Sequence, residues 1–71
     1  MNAKPAIKIK DRILAYIKAY QFSHGYPPTL KEIGKAIGKG TSTIHYHQNE
    51  MIEAGILERR GHSPRAIKVL V

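Results

Sequence analysis

The sequence predicts a mainly α-helical domain with a small β-hairpin, arranged as a three-helix winged helix-turn-helix. Apolar residues recur at helical spacing in successive segments of the 71-residue chain. The second and third of these segments are short and are joined by a tight glycine-containing turn, which is typical of a helix-turn-helix. Two β-prone runs near the C-terminus flank a turn-rich tetrapeptide, and basic residues cluster around it.

The first helix is predicted from Lys8 to Ser23. Its apolar residues follow an i, i+4, i+7, i+8, i+11 pattern, which places on one helix face Ile9, Ile13, Tyr16, Ile17 and Tyr20. Gly25 suits the position just after a helix, and the two prolines that follow it in SHGYPP prevent the helix from continuing. Residues 1–7 lack this periodicity, so we expect a flexible basic N-terminus followed by one folded domain over residues 8–71.

The second and third helices have start and stop signals of their own. Thr29, followed three residues later by Glu32, forms a capping box that starts the second helix. The predicted apolar stripe of this helix consists of Leu30, Ile33, Ala36 and Ile37. After two glycines, Thr41 or Ser42 is expected to cap the third helix, which Gly55 ends. The apolar positions of the third helix are Ile44, Met51, Ile52 and Ala54.

The C-terminal region predicts a wing. The runs ILERR and AIKVLV favour strands, and GHSP between them favours a turn. Ile67 and Val69 alternate with Ala66 and Lys68, as expected for a strand with one buried face. A hairpin that follows a helix-turn-helix completes the winged form of this motif.

The net charge is the feature of the composition that bears most directly on function. Twelve lysines and arginines against five acids give a net charge of +7. Such a surplus on a small domain favours a polyanionic partner, nucleic acid before an anionic membrane surface. A charge that serves only solubility is the alternative at this stage.

Size and residue content disfavour other classes of protein. A chain this short buries only about 60% of the surface that its unfolded form exposes, which leaves little room for a deep catalytic cleft. The absence of cysteine rules out a disulfide framework and a zinc site built on thiolates. No apolar run suits a signal peptide or reaches the roughly 20 residues of a membrane span. We therefore expect a cytoplasmic protein without a cofactor.

The stretch TSTIHYHQNEMIEAG raises the question of metal or catalytic chemistry. His45 and His47 are two residues apart, which places them about 160° apart around a helix, whereas helical metal ligands need i, i+3 or i, i+4 spacing. No Ser/His/Asp or paired-carboxylate pattern stands out among the five scattered acids. We expect no metal site and no catalytic residue, and we expect His47 to pack toward the core and bond to a neighbour.

The same stretch contains candidate DNA contacts. With the apolar positions turned inward, the exposed N-terminal half of the third helix presents, next to Thr41, the side chains of Ser42, Thr43, His45 and Tyr46. A recognition helix enters the major groove with this end. The acids of the helix, Glu50 and Glu53, lie one or two turns further along, away from the expected phosphates.

Two further groups of candidates lie outside the third helix. Thr29 and Lys31 start the second helix, where free backbone N–H groups favour phosphate. The wing supplies Arg59, Arg60, His62 and Arg65. Each of these side chains alone can be simple surface charge, and the wing group is more persuasive together than singly.

These residues resemble the DNA-binding domain of the LexA repressor family. The run ILAYIKAYQFSHGYPPTLKEIGKAIG is similar to the first helix, the Gly-x-Pro-Pro-[Ser/Thr] segment and the second helix of that family. STIHYH is similar to its recognition helix, and EAGILERRGHSPRAIKVL is similar to its turn, wing and closing strand. The resemblance covers roughly Ile9 to Leu70, and its more specific part is the Gly-Tyr-Pro-Pro-Thr run with the Pro-Arg-Ala-Ile exit from the wing.

The resemblance implies a DNA-binding role for particular positions. The wing from Arg60 to Arg65 would approach DNA or a symmetry mate, and bases or adjacent phosphates would face Ser42, Thr43, His45 and Tyr46. The family's self-cleaving domain, with its Ser–Lys pair, has no counterpart in this sequence, so autoproteolysis is not implied. The turn IGKGTST is one residue shorter than the common family form. Gln48 stands at a usually apolar position, and Phe22 stands at a commonly polar one.

Two hypotheses of different classes follow. The first is a transcriptional regulator that binds double-stranded DNA in a sequence-dependent way, as a repressor by default or as an activator, alone or as a homodimer on DNA. The second is a protein-interaction module that mimics the LexA fold and binds another regulator or RNA polymerase through Phe22, Gln48 and the wing. A membrane-surface binder and an enzyme are weaker hypotheses. Sequence-dependent duplex binding by the pure protein separates the first two.

Overall fold

The computed structural model describes residues 8–71; the expected flexible start, residues 1–7, lies outside this range. Helices occupy most of the N-terminal part, and a two-stranded antiparallel sheet follows them. In chain order the elements are α1 (Ile9–His24), α2 (Leu30–Ile37), α3 (Thr41–Glu53), β1 (Leu57–Arg59) and β2 (Ile67–Val69). This order confirms the predicted winged helix-turn-helix.

The start of α2 matches the sequence prediction, and the start of α3 does not. Thr29 Oγ1 accepts a hydrogen bond from the Glu32 N–H at 3.1 Å, and Glu32 Oε1 accepts one from the Thr29 N–H at 2.8 Å, which is a complete capping box. The residue that caps α3 is Gly40, so the prediction of Thr41 or Ser42 as its cap is wrong. Gly40 is the last residue with extended backbone, and Thr41 already belongs to the first helical turn.

The core lies where the three helices meet the hairpin. Its buried side chains come from every element: Ile13 and Ile17, then Ile33, Ile44, Met51, Leu57 and Ile67. In α2 the apolar stripe differs from the prediction, because Ala36 is exposed and Gly34 is buried. A Cβ atom placed on Gly34 would lie 2.6 Å from the Lys39 carbonyl oxygen. The absence of a side chain at Gly34 therefore lets the turn before α3 pack directly against α2.

The hairpin is short and closes against the helices. Leu57 pairs with Val69, and Arg59 pairs with Ile67, in an antiparallel register. The predicted alternation of β2 is confirmed over the strand itself, where Ile67 is buried and Lys68 is exposed. Ala66, which the alternation predicts on the open side, is buried, so that prediction is wrong; Ala66 precedes β2, where the alternation of a strand does not apply. Within residues 8–71, no helix combines the length and the apolar character that crossing a membrane requires.

Candidate nucleic-acid interface

The N-terminal half of α3 presents a polar, exposed face. Thr41, Ser42, Thr43 and His45 are exposed, and 61% of the Tyr46 surface is accessible. Ile44 and Met51 point the other way and are buried in the core. The expected orientation of α3 is therefore confirmed, whereas contact of these side chains with DNA stays a prediction.

The electrostatics of this end of α3 suit a polyanion. The first turn carries no acidic residue, and its N-cap residue, Gly40, has no side chain that could occupy the first N–H groups. Glu50 lies further along the helix, 2.9 Å from the Lys10 ammonium of α1. The hydrogen bond from Lys10 is the main cause of the lowered pKa of Glu50, so this acid stays ionised while its charge is offset.

His47 packs toward the core, as predicted, with 18% of its side chain exposed. Its ring stands edge-on to the Tyr46 ring, with the ring centroids 5.4 Å apart. The expected hydrogen bond to a neighbour is absent among residues 8–71: Nδ1 is buried, and Glu50 Oε1 lies 3.6 Å away, beyond hydrogen-bond range. His47 therefore supports the Tyr46 ring by contact and is turned away from the exposed face.

The start of α2 contributes one exposed cation among the predicted residues. The Thr29 hydroxyl is engaged in the capping box, whereas Lys31 is exposed. Lys35, one helical turn beyond Lys31, and Lys39, in the turn before α3, are exposed as well. Sequence reasoning missed both of these lysines. The i, i+4 spacing of Lys31 and Lys35 was the available signal, since residues so spaced share a helix face.

The wing presents three of its four predicted residues to solvent. Arg59, Arg60 and His62 are exposed. Arg60 Nε lies 3.1 Å from the Glu58 carboxylate, and both side chains are about half exposed, so this pair is open to competition from a phosphate.

Arg65 is arranged differently from the other wing residues. Its Nη1 and Nη2 donate to the two carboxylate oxygens of Glu32 at 2.9 and 3.1 Å. Nη1 also donates to the Pro27 carbonyl at 2.9 Å and to the Tyr20 hydroxyl at 3.4 Å. The guanidinium carbon lies 4.7 Å from the centre of the Tyr26 ring, in cation–π range. The structure thus directs Arg65 to the start of α2, and its predicted contact with DNA remains a hypothesis.

Glu32 and Arg65 each favour the charged form of the other. The hydrogen bonds from Arg65 and then from the Thr29 backbone lower the pKa of Glu32 from 4.5 to about 2. The Glu32 carboxylate in turn raises the pKa of Arg65 above its ordinary value. Burial raises the pKa of Tyr20, whose hydroxyl donates to Glu32 at 3.1 Å. The three side chains form one hydrogen-bonded group, so a change in one affects the others.

The two positions that depart from the family pattern have opposite environments. Only 2% of Gln48 is accessible, so the hypothesis that it contacts a partner protein is wrong: the side chain faces the core of the domain. Phe22 is 92% exposed, beside a shallow groove of about 330 Å³ between α1 and the end of the hairpin. Over residues 8–71, histidines and acids do not gather into any group of three or more that could hold a metal ion.

The fold and this surface define a winged helix-turn-helix domain whose recognition helix and wing are exposed on a strongly basic protein. The family model described as the LexA DNA binding domain matches residues 6–66. The chain therefore belongs to the LexA DNA-binding domain family, as the resemblance of the sequence predicted.

Curated relatives agree with this assignment. The chain is 41% identical over 68 residues to the LexA repressor of Limosilactobacillus reuteri (strain DSM 20016), covering 94% of the chain and 33% of that protein. It is 44% identical over 64 residues to the LexA repressor of Shouchella clausii, covering 89% and 31%. It is 44% identical over 59 residues to the LexA repressor of Bacillus subtilis, covering 82% and 29%. The chain spans about a third of the length of these relatives.

Proposed function

We propose that the protein is a transcriptional repressor that binds double-stranded DNA in a sequence-dependent way. The observation that carries the proposal is the exposed, acid-free first turn of α3 in a member of the LexA DNA-binding domain family. The name LexA repressor, which the similar proteins carry, supports repression over activation. The simplest mechanism of repression is occupancy of a DNA site that polymerase must use. Such a repressor would act on DNA in the cytoplasm.

In this proposal, α3 contacts base edges. Thr43, His45 and Tyr46 extend from the half of α3 that would enter the major groove. A threonine methyl or a tyrosine ring can pack on a thymine methyl, and the hydroxyl and imidazole groups can bond to bases or adjacent phosphates. The contact between the His47 and Tyr46 rings limits how far Tyr46 can swing, which favours a defined base contact.

Exposed cations of α2 and of the wing would contact phosphates. Lys31 and Lys35 lie on α2, and Arg59 and Arg60 lie on the wing. Contacts of this type fix the orientation of the protein and supply most of the affinity, without reading sequence. The uncapped N–H groups at the start of α3 are a further phosphate ligand of the same kind.

One recognition helix reads few base pairs, so we further propose that two copies bind neighbouring half-sites. Helix-turn-helix proteins place paired half-sites about one helical turn, or a multiple of it, apart. The expected consequence is weak binding to a single half-site and tighter binding to an inverted or direct repeat.

Selection of bound duplexes from a random pool tests the proposed function. The purified protein is incubated with the pool, and bound duplexes are amplified and sequenced over several rounds. We expect one short motif to be enriched, with a second copy at a fixed spacing. A bound pool that stays random would overturn sequence-dependent recognition. Co-purification of a regulator or RNA polymerase in that case would favour the protein-interaction hypothesis instead.

A further inference from the structure

The Glu32 carboxylate joins three parts of the domain. It receives the two-pronged guanidinium of Arg65 from the wing, the backbone N–H of Thr29 at the start of α2, and the hydroxyl of Tyr20 from α1. Arg65 and Glu32 are 33 residues apart in sequence, so this contact fixes a long-range relation. A carboxylate–guanidinium fork constrains both distance and orientation, unlike a single point contact.

The two terminal nitrogens of the Arg65 guanidinium are directed into the domain, which leaves Nε–H and one Nη2 N–H for any other partner. Nη1 has three acceptors within hydrogen-bond range, Nη2 bonds to Glu32, and Tyr26 lies over one face of the group. Arg60, by comparison, lies on the exposed part of the wing with a single carboxylate beside it. Of the two arginines, Arg65 has the surroundings of a structural tie and Arg60 has those of a surface cation.

We propose that Arg65 and Glu32 are positioning residues that lock the wing to the start of α2, so that the cations of the wing and of α2 meet the duplex together. This inference rests on the proposed DNA-binding function. The hairpin is also held by its two three-residue strands and by the buried Leu57 and Ile67. The irregular segment between the strands, which begins at Arg60, lacks such anchors until Ala66, so a tie from Arg65 to α2 restrains where this segment lies. This arrangement keeps the carboxylate of Glu32 near the surface that would face phosphates, where its negative charge would repel them.

The proposal can be tested by whether Glu32→Gln makes binding to DNA tighter or weaker. If Glu32 is only a nearby acid, then Glu32→Gln removes repulsion and binding to DNA becomes tighter. If Arg65 is a phosphate contact that Glu32 restrains, Glu32→Gln releases it and binding again becomes tighter. If the pair positions the wing, binding becomes weaker although the net charge of the protein has become more positive. Glutamine keeps an acceptor for the Thr29 N–H, so the capping box survives.

The experiment measures the affinity of wild type, Glu32→Gln and Glu53→Gln for the selected duplex, at a temperature where melting curves show each protein folded. Glu53 is an exposed acid at the end of α3 and serves as the matched loss of one negative charge. We expect Glu32→Gln to bind roughly three- to tenfold more weakly, the scale of coupling within one polar network. Glu53→Gln should bind as tightly as wild type or more tightly. Tighter binding by Glu32→Gln would overturn the proposal.

A second readout distinguishes positioning from a general loss of stability. Arg60→Ala should weaken binding in the wild-type background and should weaken it less in the Glu32→Gln background, because a displaced wing no longer places Arg60 on a phosphate. Equal costs in both backgrounds would contradict the proposal. If Glu32→Gln fails to fold, Arg65→Lys replaces it in the same cycle, since lysine keeps the charge and loses the fork.

Hydrogen exchange of the free protein separates failure of this proposal from failure of the proposed function. The Arg60 N–H donates to the Ala66 carbonyl at 2.8 Å, across the base of the wing. In Glu32→Gln this amide should exchange at least about tenfold faster, while the amide of Ile17 in α1 keeps its rate. Unchanged exchange at Arg60 would overturn the lock even if wild type binds DNA. Faster exchange of the Arg60 amide in Glu32→Gln, together with a wild-type protein that binds no duplex, would support the tie between the wing and α2 and would overturn the proposed repressor function.

Discussion

Gly34→Ala tests the contact that sets α3 against α2. A Cβ atom at this position would lie 2.6 Å from the Lys39 carbonyl oxygen and 3.7 Å from Ile44 Cγ1. The first distance is a clash with backbone, which cannot be relieved by rotating a side chain. The turn and the start of α3 must therefore move away from α2.

The expected cost follows from two opposing effects. Overpacking of this kind costs about 1–3 kcal/mol, and replacing glycine by alanine inside a helix regains about 1 kcal/mol. The clashing atom belongs to the backbone and cannot rotate away, so we expect the overpacking cost to lie near the upper end of its range. The net loss in the free energy of unfolding is then about 1–2 kcal/mol. For a domain of this size, that lowers the melting temperature by roughly 5–15 °C.

Gly40→Ala is the matched control. Nothing lies within 4 Å of a Cβ atom at Gly40, and its φ of −70° suits alanine. The loss of a favourable N-cap glycine and the gain from a less flexible unfolded chain are each of order 0.5–1 kcal/mol, so they nearly cancel. Thermal melts by circular dichroism measure both variants, and binding to the selected duplex reports the displacement of α3. If Gly34→Ala melts at or above the wild-type temperature and binds equally well, the reasoning is refuted.

Three other predictions address binding and pH. The logarithm of the affinity for duplex DNA should fall with the logarithm of salt concentration at a slope of about −4 to −5 per subunit, if each subunit neutralises about four to six phosphates; a flat response in anisotropy titrations would exclude a mainly electrostatic contact. Tyr46→Ala should cost about 1–3 kcal/mol on the selected site and leave a scrambled duplex nearly unaffected; equal losses on both, in a variant that circular dichroism shows to be folded, would contradict base contact. Glu32 has a pKa of about 2 in the folded protein, below its ordinary 4.5, so its contribution to stability is present above about pH 4.5 and is lost as the pH falls toward 2. The difference in melting temperature between wild type and Glu32→Gln should accordingly shrink over that range, and a constant difference would rule out this ionic contribution.

Periodicity and capping patterns predicted the elements because these depend on residues close in sequence. The stripe of Ile13 and Ile17 and the capping box of Thr29 with Glu32 are local signals, and the structure contains both. The first residue of α3 is harder to predict from sequence. Glycine, threonine and serine all favour the N-cap position, and only the path of the turn selects among them.

Contacts between distant segments are where sequence reasoning failed. A lone glycine within a helical pattern is often merely tolerated, so nothing local marked Gly34 as the site of close approach to Lys39. Arg65 has the same local character as the exposed wing cations, and only the folded chain brings it to Glu32. Gln48 departs from the family pattern, but the sequence does not indicate whether its side chain faces a partner or the core, because that depends on the packing around α3.

Three of the chain's five acids are paired with basic side chains in the folded structure. Glu32 is paired with Arg65, Glu50 with Lys10, and Glu58 with Arg60. Each of these carboxylates thus has a cation within hydrogen-bond distance, which reduces its repulsion of a nearby phosphate. Within residues 8–71, Glu53 at the exposed end of α3 is the one acid of α2, α3 and the wing that has no cation partner.

The measurement that tests the central claim most directly is a paired titration of the wild-type protein. The duplex recovered by selection and a scrambled duplex of the same length and composition are titrated at one salt concentration, near physiological ionic strength. Sequence-dependent recognition predicts that the selected site binds at least about tenfold more tightly than the scrambled one, since each mismatched base pair costs about 1–3 kcal/mol. Equal affinity for the two duplexes would contradict the account.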